Sequence, residues 1–192
     1  MQGEPVAVPV DLDGVPRADL ALQKRLGRAY IDQARRHLAD RTDRIKHCLG
    51  QLDDAQVWWR PHGSLNSVGN LVLHLCGNLR QWVVSGVGGA PDVRDRPAEF
   101  SEQGPIPRAE LIRRLDAVAG EADAALASLE ESRLLEPRRI QGFDESVMSA
   151  IWESLTHLSG HTQEVVYITR LQLGDRYEFA WVPSTPEQGD PA

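Results

Sequence analysis

The stretch THLSGHTQEVVYITRLQLGD, residues 156–175, places two histidines four positions apart in an apolar pattern of helical period. At 100° and 1.5 Å per residue, His157 and His161 fall about 40° apart and about 6 Å along the axis, so they share one face. The pattern reaches back to about Ser146 and forward to Leu173, where Gly174 at the C′ position ends the helix. A second stretch, NSVGNLVLHLCGNLRQW at residues 66–82, has one histidine in the same setting. Asn66 and Ser67 are good N-cap types, and the helix they start runs to about Ser85. Within it Asn70, His74, Asn78 and Gln81 form a polar stripe at i−4, i, i+4 and i+7. Glu153, His157, His161 and Glu164 form another on the later helix. Polar stripes on helices that pack in a bundle need partners.

Two more helices complete the pattern. From Ala18 to about Leu49, the positions Leu22, Leu26, Ile31, Ala34, Leu38, Ile45 and Leu49 keep three-four spacing between charged residues. Pro107 suits the first turn of another helix, in which Leu111, Ile112, Leu115, Val118, Ala122, Leu126 and Leu129 hold the period. Gly120 in its middle suggests a close approach by a neighbouring helix. The connection over residues 86–107 is rich in Gly and Pro, and a loop of that length in a compact domain is either functional or a long crossover. No segment alternates long enough to demand a sheet. The fold expected is all-α, a four-helix bundle with long crossover connections. Residues 1–17, with Pro5, Pro9 and Pro16, read as a loose arm, 18–176 as the bundle, and 177–192 as a tail.

Composition narrows the class. The chain has 192 residues, 41% of them hydrophobic and 26% charged, which suits one domain with a sizeable core. A formal net charge of −7 and basic residues interleaved with acids argue against a nucleic-acid partner. No run approaches the ~20 apolar residues of a membrane span, and the acidic N-terminus does not read as a signal peptide. A cytoplasmic protein acting on a small molecule is the expectation. Cys48 and Cys76 lie in apolar helical patterns and read as free thiols.

Two imidazoles one turn apart can bind one metal ion, with a third ligand from another helix, for which His74 is the candidate. A histidine in a helix is ordinarily a surface or hydrogen-bonded core residue. The shared polar setting of three of them on the two most apolar helices raises the metal reading above that one. His37, His47 and His62 lie among charges or in a loop and read as surface residues. A di-iron carboxylate site is excluded, because Glu153 and Glu164 are followed three residues on by Thr156 and Tyr167 rather than histidine. HExxH is absent. Cys76 points roughly 160° away from His74 and fits packing better than ligation. Trp58, Trp59 and Trp181 are packing anchors or walls of a pocket mouth.

The two motifs, NSVGNLVLHLCGN and THLSGHTQEVV, resemble those of the DinB-like (YfiT-like) superfamily of metal-binding four-helix bundles, and the resemblance spans all four helices in order. It implies an up-down-down-up topology, with His74, His157 and His161 as ligands of one divalent ion and at least one coordination position open. Members include transferases that use low-molecular-weight thiols, and a homodimer is implied, in keeping with a first helix whose apolar positions, Tyr30 and Ile31 included, look broad. Thr162 and Gln163 stand where the family often has Gly-Gln. An open three-histidine site can generate a hydroxide or thiolate near neutral pH, so the reading is a thiol transferase, with a hydrolase or a non-catalytic binding bundle as alternatives. Nickel or zinc suits the imidazole set. Glu164 and Gln81 are the candidate catalytic residues, and Asn70 and Asn78 the candidate cofactor-binding ones.

Overall fold

The computed structural model describes residues 17–182; the expected arm over 1–16 and the tail beyond 182 lie outside the described residues. Six α-helices and one hairpin follow in order: α1 (Arg17–Gln51), α2 (Asp54–Trp58), α3 (Val68–Leu79), α4 (Arg96–Ser101), α5 (Arg108–Ala127), β1 (Pro137–Ile140), β2 (Phe143–Ser146) and α6 (Val147–Leu173). α3 continues as a π-helical stretch, Arg80–Val87. Ser67 caps α3 and Ser146 caps α6, each accepting from the backbone N–H three residues on. Gly174 closes α6 at φ +55°, a conformation that costs a side chain energy and costs glycine little.

The four long helices form the bundle, and their cross-links fix its directions. Arg35 of α1 holds Asp123 of α5 at 2.7 Å, while Lys46, further along α1, holds Asp116, earlier in α5. These two helices are therefore antiparallel. Tyr30 donates to Met148 O at 2.8 Å and His37 bonds Ser159 at 2.6 Å, so α1 and α6 run parallel. His74 meets His157 and Asn78 meets Ser154, so α3 and α6 are antiparallel. The result is up-down-down-up. Ile31, Leu38, Ile45 and Leu49 of α1 meet Leu71, Leu75 and Leu79 of α3, Leu111, Leu115 and Leu126 of α5, and Ile151 and Leu158 of α6 in one core. Each is 2% exposed or less, and full burial of such a side chain contributes roughly 1.5–3 kcal/mol.

Several expectations need correction. A hairpin does form: β1 and β2 pair from Pro137↔Ser146 to Ile140↔Phe143, turning through Gln141 and Gly142, both at positive φ. Four-residue strands carrying Arg138, Arg139 and Asp144 are too short and too polar for alternation to reveal them. The crossover is not all loop, because α4 sits in it, and the first connection holds α2, closed by a capping box between Asp53 and Gln56. A Cβ on Gly120 would meet nothing within 4 Å, so no helix approaches there. Trp58 fills the space over Gly69 and Gly104 and donates to Ile106 O at 2.9 Å, which makes it a packing anchor. His37 is half-buried between α1 and α6, on Ser159 Oγ, and His47 is half-buried against the segment after α6, on Glu178 O, so neither stands free on the surface.

Candidate metal centre

His74, His157 and His161 meet between α3 and α6. Their ring centroids lie 4.5–5.1 Å apart, each ring turned edge-on to the next. One nitrogen from each falls within 4.8 Å of the others. His74 Nε2 and His157 Nε2 are 3.0 Å apart. Two nitrogens bound at about 2.0–2.1 Å to one ion sit roughly 2.9–3.4 Å apart at octahedral to tetrahedral angles, so the spacing suits a shared divalent cation.

The tautomers follow from the outer partners. Nδ1 of His74 is 2.8 Å from Glu99 Oε2, which only accepts, and 3.1 Å from Arg94 Nη2, which only donates; the shorter contact, to the carboxylate, sets the proton on Nδ1 and leaves the Nε2 lone pair inward. His161 Nδ1 is likewise 2.8 Å from Glu164 Oε2, which leaves its Nε2 as the free nitrogen. His157 Nδ1 is buried without a hydrogen-bond partner among the described residues. Burial, then the neighbouring His161 and His74 and the guanidinium groups of Arg94 and Arg96, push the His157 pKa down to about 4. At neutral pH this ring is uncharged. The donor set thus fits a divalent metal.

Glu99 and Arg94 were not identified from the sequence. Arg94 clamps Glu99 with two bonds, Nε to Oε1 at 2.7 Å and Nη2 to Oε2 at 2.9 Å, and its side chain is 3% exposed. Burial raises the Glu99 pKa, but the bonds from Arg94 and His74 outweigh it and hold the carboxyl below its ordinary range. Both residues come from the crossover. Gly77, one turn after His74, makes room for them: a Cβ there would overlap Glu99 Oε1. A glycine inside an apolar helix, followed by a crossover of this length, was the available signal.

The other predicted residues separate. Glu164 is exposed at the rim on His161. Gln81 does not touch the histidines; it accepts from Arg94 at 2.9 Å and donates to Asp92 at 2.7 Å, bracing the clamp. Asn78, 7% exposed, accepts from Ser154 Oγ and lines the cavity at the histidines. Asn70 lies at the start of α3 and is fully engaged. Its Oδ1 takes bonds from Ser67 and Arg60, and its Nδ2 donates to Glu99 O and Glu102 O. That ties the crossover to α3 and leaves Asn70 no group for a cofactor.

The cavity beside the histidines measures about 190 Å³ and is walled by Asn78, Trp82, Arg94, Arg96, Gln141 and Glu153. Its indole is that of Trp82, whereas Trp181 lines a different cavity, between α1 and α6. A larger space of about 420 Å³ lies behind the Arg94–Glu99 pair. Cys76 opens on that space, and burial pushes its thiol up to about 12.

A model of the family described as protein of unknown function DUF1572 matches residues 25–185. The chain belongs to the DUF1572 family. Among solved structures, a conserved protein from Enterococcus faecalis is similar at 18% identity and TM-score 0.60, over 74% of this chain and 96% of that one. A DinB-like protein from Bacillus cereus is similar at 13% identity and TM-score 0.55, over 69% of this chain and 85% of that one. Identities this low carry the fold alone: the DUF1572 chain has the fold of a DinB-like protein. No curated protein matches it in sequence. Among the described residues of this DUF1572 member, no helix is long and apolar enough to cross a membrane.

Proposed function

We propose that the chain binds one divalent ion, nickel or zinc, through His74, His157 and His161. In this reading the open positions activate a low-molecular-weight thiol for transfer to a small electrophile, in the cytoplasm. The observation that carries it is the convergence of three imidazoles within 4.8 Å beside a cavity of ligand size. An ion held there supplies Lewis acidity, which brings the pKa of a thiol or water toward neutrality. The chain's own residues supply the rest. Glu99 fixes the tautomer of His74, and Arg94 keeps Glu99 ionised. Glu164, exposed at the rim, orients His161 and is placed to take the proton that a thiol releases. Asn78 turns its amide toward the cavity, and Gln81 acts at one remove, through Arg94.

The test is metal per chain in His74→Ala, His157→Ala and His161→Ala, with His37→Ala as control. Full occupancy in any one of the three removes that residue from the set. Cobalt-substituted protein then separates the reactions. A sulfur-to-cobalt charge-transfer band on adding small thiols supports thiol transfer, a response to hydroxide or carboxylate alone favours hydrolysis, and no response favours a closed, non-catalytic site.

We infer the homodimer from α6 and not from α1, the helix whose pattern first suggested it. Ile31 is buried and Tyr30 packs against the core, so the large apolar side chains that α1 exposes are confined to Leu22 and Leu26 near its start. On α6, Trp152, Tyr167 and Leu171 are 59%, 64% and 52% exposed and fall within a sector of about 100°. A twofold axis near Ser159 and Gly160 would set Trp152 against Tyr167 of the partner subunit, a self-matching arrangement of the kind a symmetric dimer requires. Light scattering that gives only a monomer at micromolar concentration would exclude it.

A further inference from the structure

Four polar residues of the 190 Å³ cavity, Asn78, Arg96, Gln141 and Glu153, are not needed to hold a metal. Their hydrogen bonding is one-sided. Asn78 Oδ1 accepts from Ser154 Oγ at 3.0 Å, and Gln141 Oε1 accepts from the Trp82 indole N–H at 3.3 Å. An indole nitrogen only donates, so the Gln141 amide is set with its oxygen toward Trp82. Both amides keep their NH₂ groups for the cavity. Arg96 lies 5.0 Å over the Phe100 ring, which packs 4.8 Å from His74, and this stack brings the guanidinium to the edge of the histidine cluster. Glu153 stands one turn before His157 on α6. Among the described residues neither Arg96 nor Glu153 has an ion-pair partner within 4.0 Å. They line one space without reaching each other.

A wall with three groups of donors and a single carboxylate fits a ligand that has an anionic acceptor at one end and a cation at the other. We propose that this cavity is a subsite for an α-amino-acid unit. The ligand carboxylate lies on Arg96 and the N–H groups of Asn78 and Gln141, and its ammonium lies on Glu153. Trp82, 8% exposed, is the apolar wall for the short side chain. A phosphate or other dianion fits less well, because Glu153 would face it with like charge. The proposal deepens the thiol-transferase reading, since a cysteine-like unit seated here would direct its sulfur at the imidazoles. The charged wall, however, is present without any ion.

Metal-free full-length protein is titrated with L-serine, ethanolamine and 3-hydroxypropionate, and dissociation constants are read by ligand-observed NMR. These probes do not bind metal through sulfur, so the readout is independent of the metal centre. L-Serine is expected to bind at least tenfold more tightly than either singly charged analogue. Arg96→Gln should weaken L-serine and 3-hydroxypropionate at least fivefold and leave ethanolamine within twofold. Glu153→Gln should weaken L-serine and ethanolamine and spare 3-hydroxypropionate. Both side chains are exposed, so neither change threatens the fold. Equal binding of the three probes, indifference to both substitutions, or displacement of L-serine by equimolar inorganic phosphate overturns the subsite. Zinc uptake measured on the same samples keeps the two readings apart. Uptake without charge-selective binding leaves only the metal centre, and charge-selective binding without uptake leaves only the subsite.

Discussion

Glu99 and His74 are joined by a 2.8 Å hydrogen bond between residues 25 positions apart, one on the crossover and one in the middle of α3. Partners of this kind typically set metal affinity by 10–100-fold. Glu99→Gln is therefore expected to weaken zinc binding about 10- to 100-fold in competition with a chromophoric chelator, with helix content by circular dichroism unchanged. Glu99→Ala goes further, because it leaves Arg94 buried without its carboxylate. Loss of one partner from a buried pair costs about 3–5 kcal/mol, so urea unfolding should show a destabilisation of that order.

Gly77→Ala tests the same contact from the helix side. The added methyl overlaps Glu99 Oε1, and the carboxylate must move. Alanine favours helix over glycine by about 1 kcal/mol, so a purely local effect would stabilise. The expected outcome is a loss of zinc affinity with no gain in melting temperature.

Asn70→Ala should unfold more easily by about 2–4 kcal/mol, since it removes the N3 half of a buried capping box and two bonds to the crossover. Zinc stoichiometry at saturation should remain that of the parent, measured by metal analysis on folded protein. A variant of normal stability that lacks metal would instead return Asn70 to the site.

Tyr30 gives a pH signature away from the histidines. Burial raises its pKa to about 12, because the phenolate would be desolvated. With a folded value above the unfolded value of about 10, the stability it supports is complete below pH 10 and is lost as pH rises toward 12. Absorbance titration at alkaline pH should show a late tyrosine step that disappears in Tyr30→Phe. Unfolding midpoints of the parent should fall across the same interval.

The bundle was legible because its helices carry their own ends: Ser67, Pro107, Ser146 and Gly174 stand at the boundaries the structure has. The three histidines were legible because period 3.6 fixes which residues of a helix share a face. Glu99 and Arg94 were not, since they arrive from an irregular segment whose path is set by tertiary contacts such as Asn70 to Glu102 O and by no local period. Asn70 and Gln81 fell on the correct stripe, but a stripe 12 residues long outruns the site, and its ends brace the crossover. The hairpin over residues 137–146 was hidden for a similar reason. It supplies Gln141 to the cavity from a turn whose neighbours are arginines and acids.

The crossover reaches His74 through Glu99, Arg94 and Phe100, while Asn70 anchors the same segment by its backbone, so the proposed ion and the docked segment share a thermodynamic cycle. Whatever free energy the Glu99 bond adds to ion binding, a bound ion returns to the docking of residues 92–102. A peptide bond there should then be cut more slowly by a protease once zinc is present. The rate ratio would report the strength of that coupling without any substrate or reaction being known.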